Sequence, residues 1–250
     1  MIKKTIVTGM VALMSLAAMA LPAKRGLTNV ITLNDGTKVE VSLVGDEFMH
    51  YWQDAYGNKY VPTGEANVFK LADASAVSNL TTRALARKAK AHSRRAARRN
   101  LSNATDVFQG KKKGLVILVE FTDAKFKNSD SQTLFNRISN EAGYNEGYFQ
   151  GSVKDYFLAQ SRGQFELDFA DVGPVKLAHN MKYYGGNDEN GYDLHPEEMV
   201  AEACKGVDSK VDFSKYDWDG DGEVDQVYVI YAGYGEADTG KENTIWPHEY

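Results

Sequence analysis

Five oxygen donors crowd one stretch near the end of the sequence, "DWDGDGEVDQVYVIYAG", residues 217–233. Asp217, Asp219, Asp221 and Asp225 place carboxylates at positions one, three, five and nine. Glu223 offers its carbonyl at seven, and Gly222 stands at six. A hard cation such as Ca2+ binds oxygens in this spacing, and glycine at the sixth place permits the sharp turn that aims them inward, as in an EF-hand-type loop. At position twelve, where a calcium sensor has a bidentate Glu, stands Tyr228. The apolar run "QVYVIYAG" that follows reads as a strand and not as an exiting helix. The candidate metal ligands are therefore Asp217, Asp219, Asp221, Glu223 and Asp225, expected to brace a turn entering a strand. A plain acidic turn without an ion stays open on spacing alone.

Other chemistry-bearing residues are sparse. The five histidines stand at 50, 92, 179, 195 and 248, and no H-E-x-x-H occurs. His195 precedes Pro196-Glu197-Glu198, which fits a helix entry: proline suits the first helical position and the acids complement the positive end of the dipole. Cys204 is the only cysteine, so no internal disulfide can form, and its place on the apolar face of that helix makes it an inert core thiol. Paired carboxylates for glycoside hydrolysis show no spacing signal beyond general acidity.

These residues need elements to position them. "GLVILVEF" (114–121) reads as a central strand buried on both faces. "SVKDYFLAQS" (152–161) starts like a capping box, Ser152 with Asp155, and should close near Gly163 with Val153, Tyr156 and Phe157 on its core face. The helix after Pro196 should bury Met199, Val200, Ala203 and Cys204 and end at Gly206. "GQFELDFADVGPVKLA" (163–178) reads as hairpin-like. Strands alternating with helices predict an α+β domain with a mixed sheet. Upstream, Asp35-Gly36 and Tyr56-Gly57-Asn58 mark turns between β-like runs, so residues 21–82 read as a small β-rich domain.

Charge divides the chain. Residues 1–105 carry 15 Lys+Arg against 7 Asp+Glu and residues 106–250 carry 14 against 27, nets of +8 and −13 that sum to the formal −5. Eight basic residues without an acid fill 83–99, so 83–105 reads as a basic linker whose Arg94-Arg95 and Arg98-Arg99 pairs are open to a trypsin-like protease. Export and the acidic following domain argue against nucleic acid as its partner. Residues 1–20 combine Lys3-Lys4, a short apolar middle and Ala18-Met19-Ala20, the pattern of a cleaved secretory signal; the chain is expected to be secreted without a membrane anchor. Hydrophobic content of 43% excludes wholesale disorder.

Three ordered stretches, "GLVILVEFTDAKF", "GSVKDYFLAQSRGQFELDF" and "DFSKYDWDGDGEVDQVYVIYAGYGEA" with "IWPH" after it, resemble the immune inhibitor A-like family of secreted bacterial zinc metallopeptidases. The resemblance spans roughly 112–250, and "DGTKVEVSLVGDEFMHYWQDAYGNKYV" resembles that family's pro-segment. It implies a precursor with a metzincin-like peptidase domain over 106–250, acting on protein or peptide substrates, with the 21–82 pro-segment contacting it within the molecule. It also implies catalytic Zn2+ bound by H-E-x-x-H, with the Glu activating a metal-bound water. This sequence departs from that pattern because the motif is absent; the zinc ligands are expected only beyond residue 250, and these 250 residues are expected to be inactive. His248-Glu249 is the one His-Glu pair, and Pro247 before it disfavours an established zinc helix. A different reading is a non-catalytic secreted, calcium-dependent module that binds glycan or peptide through its 14 tyrosines.

Overall fold

The computed structural model describes residues 22–65, 67–101, 107–188 and 191–248, with backbone alone for 94–101. The expected signal at 1–20 lies outside the described residues.

Five strands, β1 (Thr28–Leu33), β2 (Lys38–Asp46), β3 (Met49–Gln53), β4 (Lys59–Pro62) and β5 (Val68–Leu71), close into a barrel. The Asp35-Gly36 and Tyr56-Gly57-Asn58 turns join β1 to β2 and β3 to β4. A parallel pairing of β1 with β5 completes the ring, so no edge is left open. Alternate residues point inward: Ile31, Val41, Leu43, Trp52, Tyr60 and Phe69 are buried together.

The next element is a single helix, α1 (Ala74–Leu101). Asp73 caps it, its Oδ1 accepting the Ala76 N–H at 2.7 Å, and a sequence rich in Ala, Arg and Lys sustains it. The basic stretch expected to start a linker at 83 therefore continues a helix begun at 74, and the 82/83 boundary falls inside it. Residues 102–106 lie outside the described residues.

A three-layer unit follows. Its sheet has the order β7-β6-β8, from β6 (Gly110–Glu120), β7 (Phe165–Lys176) and β8 (Val227–Tyr231). Leu115, Ile117 and Val119 of β6 face one apolar cluster and Val116 and Leu118 face another, as expected for a strand covered on both sides. Helices α2 (Ser131–Asn140) and α3 (Val153–Gln160) cross over between β6 and β7; α4 (Met181–Gly185) and α5 (Pro196–Val207) cross over between β7 and β8. The short α6 (Glu236–Thr239) is the last helix or strand among the described residues, and the chain runs on irregularly to His248. Helix and strand thus mix in an α+β chain.

Four expectations need correction. The sheet of this unit is parallel throughout among the described residues, not mixed, because each helical crossover returns the chain to the same end. Within residues 163–178 the chain forms one strand, β7 over Phe165–Lys176, and not a hairpin. The β6–β7 register shifts between Ile117 and Val119, a bulge that absorbs Gly173-Pro174 without turning the chain. Gly173 has φ +111° there, and a Cβ on it would lie 2.5 Å from the Leu118 carbonyl oxygen. Tyr156, placed in the core by spacing, is 59% exposed; Val153 and Phe157 do pack inward. Gly206 lies within α5, where a Cβ would meet Val175 at 2.4 Å, and the helix runs on to Val207.

Ile117 is fully buried at the centre of the sheet. Ile117→Ala should lower the unfolding free energy by about 2–5 kcal/mol in urea titration, while Val30→Ala on the exposed barrel surface should change it by less than about 0.5 kcal/mol.

Candidate functional site

The acidic loop is built backbone first. A 3-10 turn over Phe213–Tyr216 delivers Asp217, and the Asp225 N–H bonds back to the Tyr216 carbonyl at 3.0 Å, closing the loop. Gly220 and Gly222 adopt φ of +79° and +90°, the left-handed region that permits so tight a turn. The Asp217 carboxylate accepts the N–H groups of Gly220 at 2.7 Å, Gly222 at 2.9 Å and Asp221 at 3.2 Å. Those backbone donors, Gly222 first, hold it below the usual carboxylate range. Burial pushes the Asp225 carboxyl up, and the charges of Asp219, Asp217 and Asp221 push it further, against the Trp218 N–H that it accepts. The indole of Trp218 donates to the Lys113 carbonyl at 2.8 Å, and Lys112 Nζ donates to the Trp218 carbonyl at 3.1 Å. Both bonds fasten the loop to β6.

Carboxylate oxygens of Asp217, Asp219 and Asp225 lie within 4.8 Å of one another, close enough to share one cation. Asp221 is not in that trio; its Oδ1 accepts the Glu223 N–H at 2.8 Å. The Glu223 side chain is exposed. The strand expected after the loop is β8.

The histidines do not assemble. The rings of His179 and His195 each stack on the Tyr183 ring, with centroids 3.9 and 4.5 Å from it. His195 occupies the N-cap of α5, and its Nδ1 lies 3.2 Å from Glu198, in keeping with a helix-entry role. His248 Nε2 is 2.6 Å from Asp193 Oδ2, in the non-helical segment Ile245 to His248; Glu249 lies outside the described residues. Among the described residues the acidic trio is the one group of three such side chains that could hold a metal, and its all-carboxylate donor set suits a hard cation.

A second polar cluster escaped the sequence reading. The barrel sits on the three-layer unit through Trp246 and Ala237, which join its apolar cluster. The Lys24 N–H donates to the Ala237 carbonyl at 2.8 Å, and Tyr192 Oη donates to the Phe48 carbonyl at 3.0 Å. At this seam the His50 ring stacks on Trp246 at 4.2 Å, and its Nε2 lies 3.7 Å from Glu236 Oε1. Asn187 Nδ2 donates to the same Glu236 oxygen at 2.9 Å. Residues so far apart in sequence share no spacing signal that could have found them.

The family model described as "Immune inhibitor A peptidase M6, catalytic domain" matches residues 102–250. The chain belongs to that family of metallopeptidases. The matched segment of this M6 peptidase chain begins just after α1 and contains the sheet, the acidic loop and the Trp246 segment; the barrel lies outside it. The chain is also similar to Immune inhibitor A of Bacillus thuringiensis subsp. alesti, 29% identical over 175 residues, which is 56% of this chain and 26% of that protein. It thus spans about a quarter of that relative's length.

Proposed function

We propose that these residues are the N-terminal portion of a secreted zinc metalloendopeptidase precursor: a signal at 1–20, a barrel-shaped pro-segment, and the first part of a metzincin-like catalytic domain. The observation that carries this reading is the division of the chain at α1. The family match starts where the helix ends, and an unmatched barrel is seated on the matched domain. A folded module packed on a peptidase domain is suited to cover it until a cut in the basic helix frees it. The substrates on this reading are proteins or peptides, and the zinc ligands and general base lie in H-E-x-x-H supplied by sequence following residue 250.

In the same reading the acidic loop binds structural Ca2+ through Asp217, Asp219 and Asp225, with Asp221 and the Glu223 carbonyl joining when the ion draws the loop together. The ion would neutralise carboxylates that now repel one another, and so fix the turn into β8. Without an acid at position twelve the expected Kd is that of extracellular modules, on the order of 10⁻⁴ to 10⁻³ M.

Calcium at 10 mM, roughly 10 to 100 times that Kd, should then stabilise the chain by about 1.4–2.7 kcal/mol in thermal melts. Asp217→Asn with Asp225→Asn should abolish the shift; a wild-type melt indifferent to calcium would leave the loop a plain acidic turn. For catalysis, the 250-residue chain should not hydrolyse casein. An extended protein that includes the following reading frame should do so, and a zinc chelator should stop it. Chelator-sensitive hydrolysis by the 250 residues alone would contradict the assignment of the zinc ligands.

A further inference from the structure

The seam between barrel and peptidase domain holds an uncommon concentration of buried polar atoms. His50 Nε2, Asn187 Oδ1, Asp193 Oδ1 and Glu236 Oε2 all lie out of solvent contact with no hydrogen-bond partner. Such atoms cost free energy unless their charge state minimises the loss. A cavity of about 400 Å³ reaches the same place, lined from the barrel side by His50 and Trp52, from α1 by Arg83, and from the domain side by Asn187, Glu236 and Glu242. The cavity gives water and protons a way to the buried pair.

We infer that His50 and Glu236 form a proton-controlled latch: the barrel stays seated while both are uncharged, and it loosens when either ionises. The role of the latch in activation rests on the reading of the barrel as a pro-segment; the latch itself rests on the seam.

The protonation states follow from the contacts. His50 Nδ1 faces the Asp46 carbonyl at 3.3 Å, and a carbonyl only accepts, so Nδ1 carries the proton and Nε2 is the bare nitrogen turned to Glu236. Burial pushes the imidazole down to about 4; the Asp46 carbonyl and carboxylate oppose this, while His248 and Arg87 add to it. Burial likewise pushes the Glu236 carboxyl up to about 9, reinforced by the charges of Asp193 and Glu242 and opposed by the Asn187 amide. Asp193, raised by burial itself, is held by His248 and the Trp246 N–H, and Glu242 is raised by burial. Near neutral pH the pair is therefore an uncharged imidazole beside an uncharged carboxylic acid.

The two groups act on docking with opposite sign. Glu236 keeps a proton when covered that it loses in water above its ordinary 4.5, so docking weakens as pH rises from there to about 9. His50 gains a proton in water below its ordinary 6.5 that it refuses when covered, so docking weakens as pH falls from there to about 4. Between 4.5 and 6.5 the slopes cancel. Above 6.5 Glu236 acts alone at about tenfold per pH unit, which is about 300-fold by pH 9. The latch is thus closed in mild acid and opens toward alkaline pH.

The Lys24 N–H crosses the seam, so its hydrogen-exchange protection reports docking directly. Measured on the full chain and divided by intrinsic exchange rates, protection should be level from pH 5 to 6.5 and fall about 300-fold by pH 9. E236Q, which keeps the shape of the uncharged acid, should be level above 6.5, with β6 amides protected throughout in both proteins. A level wild-type profile, or an E236Q profile as steep as the wild type, overturns the latch. If E236Q does not fold, the wild-type profile decides, with H50Q expected to keep the alkaline fall. A barrel that opens with pH yet leaves peptide hydrolysis by the extended protein unchanged would sink the pro-segment reading and leave the latch standing.

Discussion

The structure depends on one packing choice: Trp246, far from the barrel in sequence, completes the barrel's apolar cluster. Its side chain is almost wholly buried, with the His50 ring stacked on one side. Trp52 reaches the other way, and Gly240 makes room for it; a Cβ there would lie 2.5 Å from the Trp52 ring. Burying two indoles across one seam is a large hydrophobic gain, because each indole removes a large apolar surface from water. The small barrel and the domain thereby share a core, where their opposite net charges alone would give a weak, salt-screened contact. Of the ion pairs at the seam, Lys24–Asp238 is exposed on both sides at 3.8 Å and contributes little.

That packing has a polar consequence. Trp246 is positioned by its N–H, which donates to Asp193 at 2.9 Å, and Ile245 before it bonds through its carbonyl to the Glu236 N–H and the Tyr231 hydroxyl. The side chains that hold the segment are thus carried into the seam with it. Asp193 and Glu236 are buried because they sit beside Trp246. The acidic loop lies elsewhere, fastened to β6 by Trp218, and serves the sheet rather than the seam.

Much of this was legible in the sequence because the signals were local. The "GLVILVEF" run reads as a doubly covered strand and is one; the Ser152–Asp155 capping box is present in both directions; the Asp-Gly turn makes its hairpin. The acidic spacing brought three of its side chains together. What failed was information that is not local. The turn-like Gly173-Pro174 became a bulge because β6 pairs on either side of it, and Tyr156 faces solvent because α3 buries a narrower face than its spacing suggested. The basic stretch reads as a linker from its unbroken run of positive charge, yet Ala, Arg and Lys are also good helix formers. The His50–Glu236 seam was invisible, since nothing in either neighbourhood names the other.

The most direct test of the shared core is small-angle X-ray scattering of Trp246→Ala beside the wild type in mildly acidic buffer, with β6 amide protection confirming that the sheet remains folded. If Trp246 holds the barrel on the peptidase domain, the variant's radius of gyration rises while the sheet stays protected. An unchanged radius with an intact sheet would mean that the barrel is seated by something else, and would contradict the account.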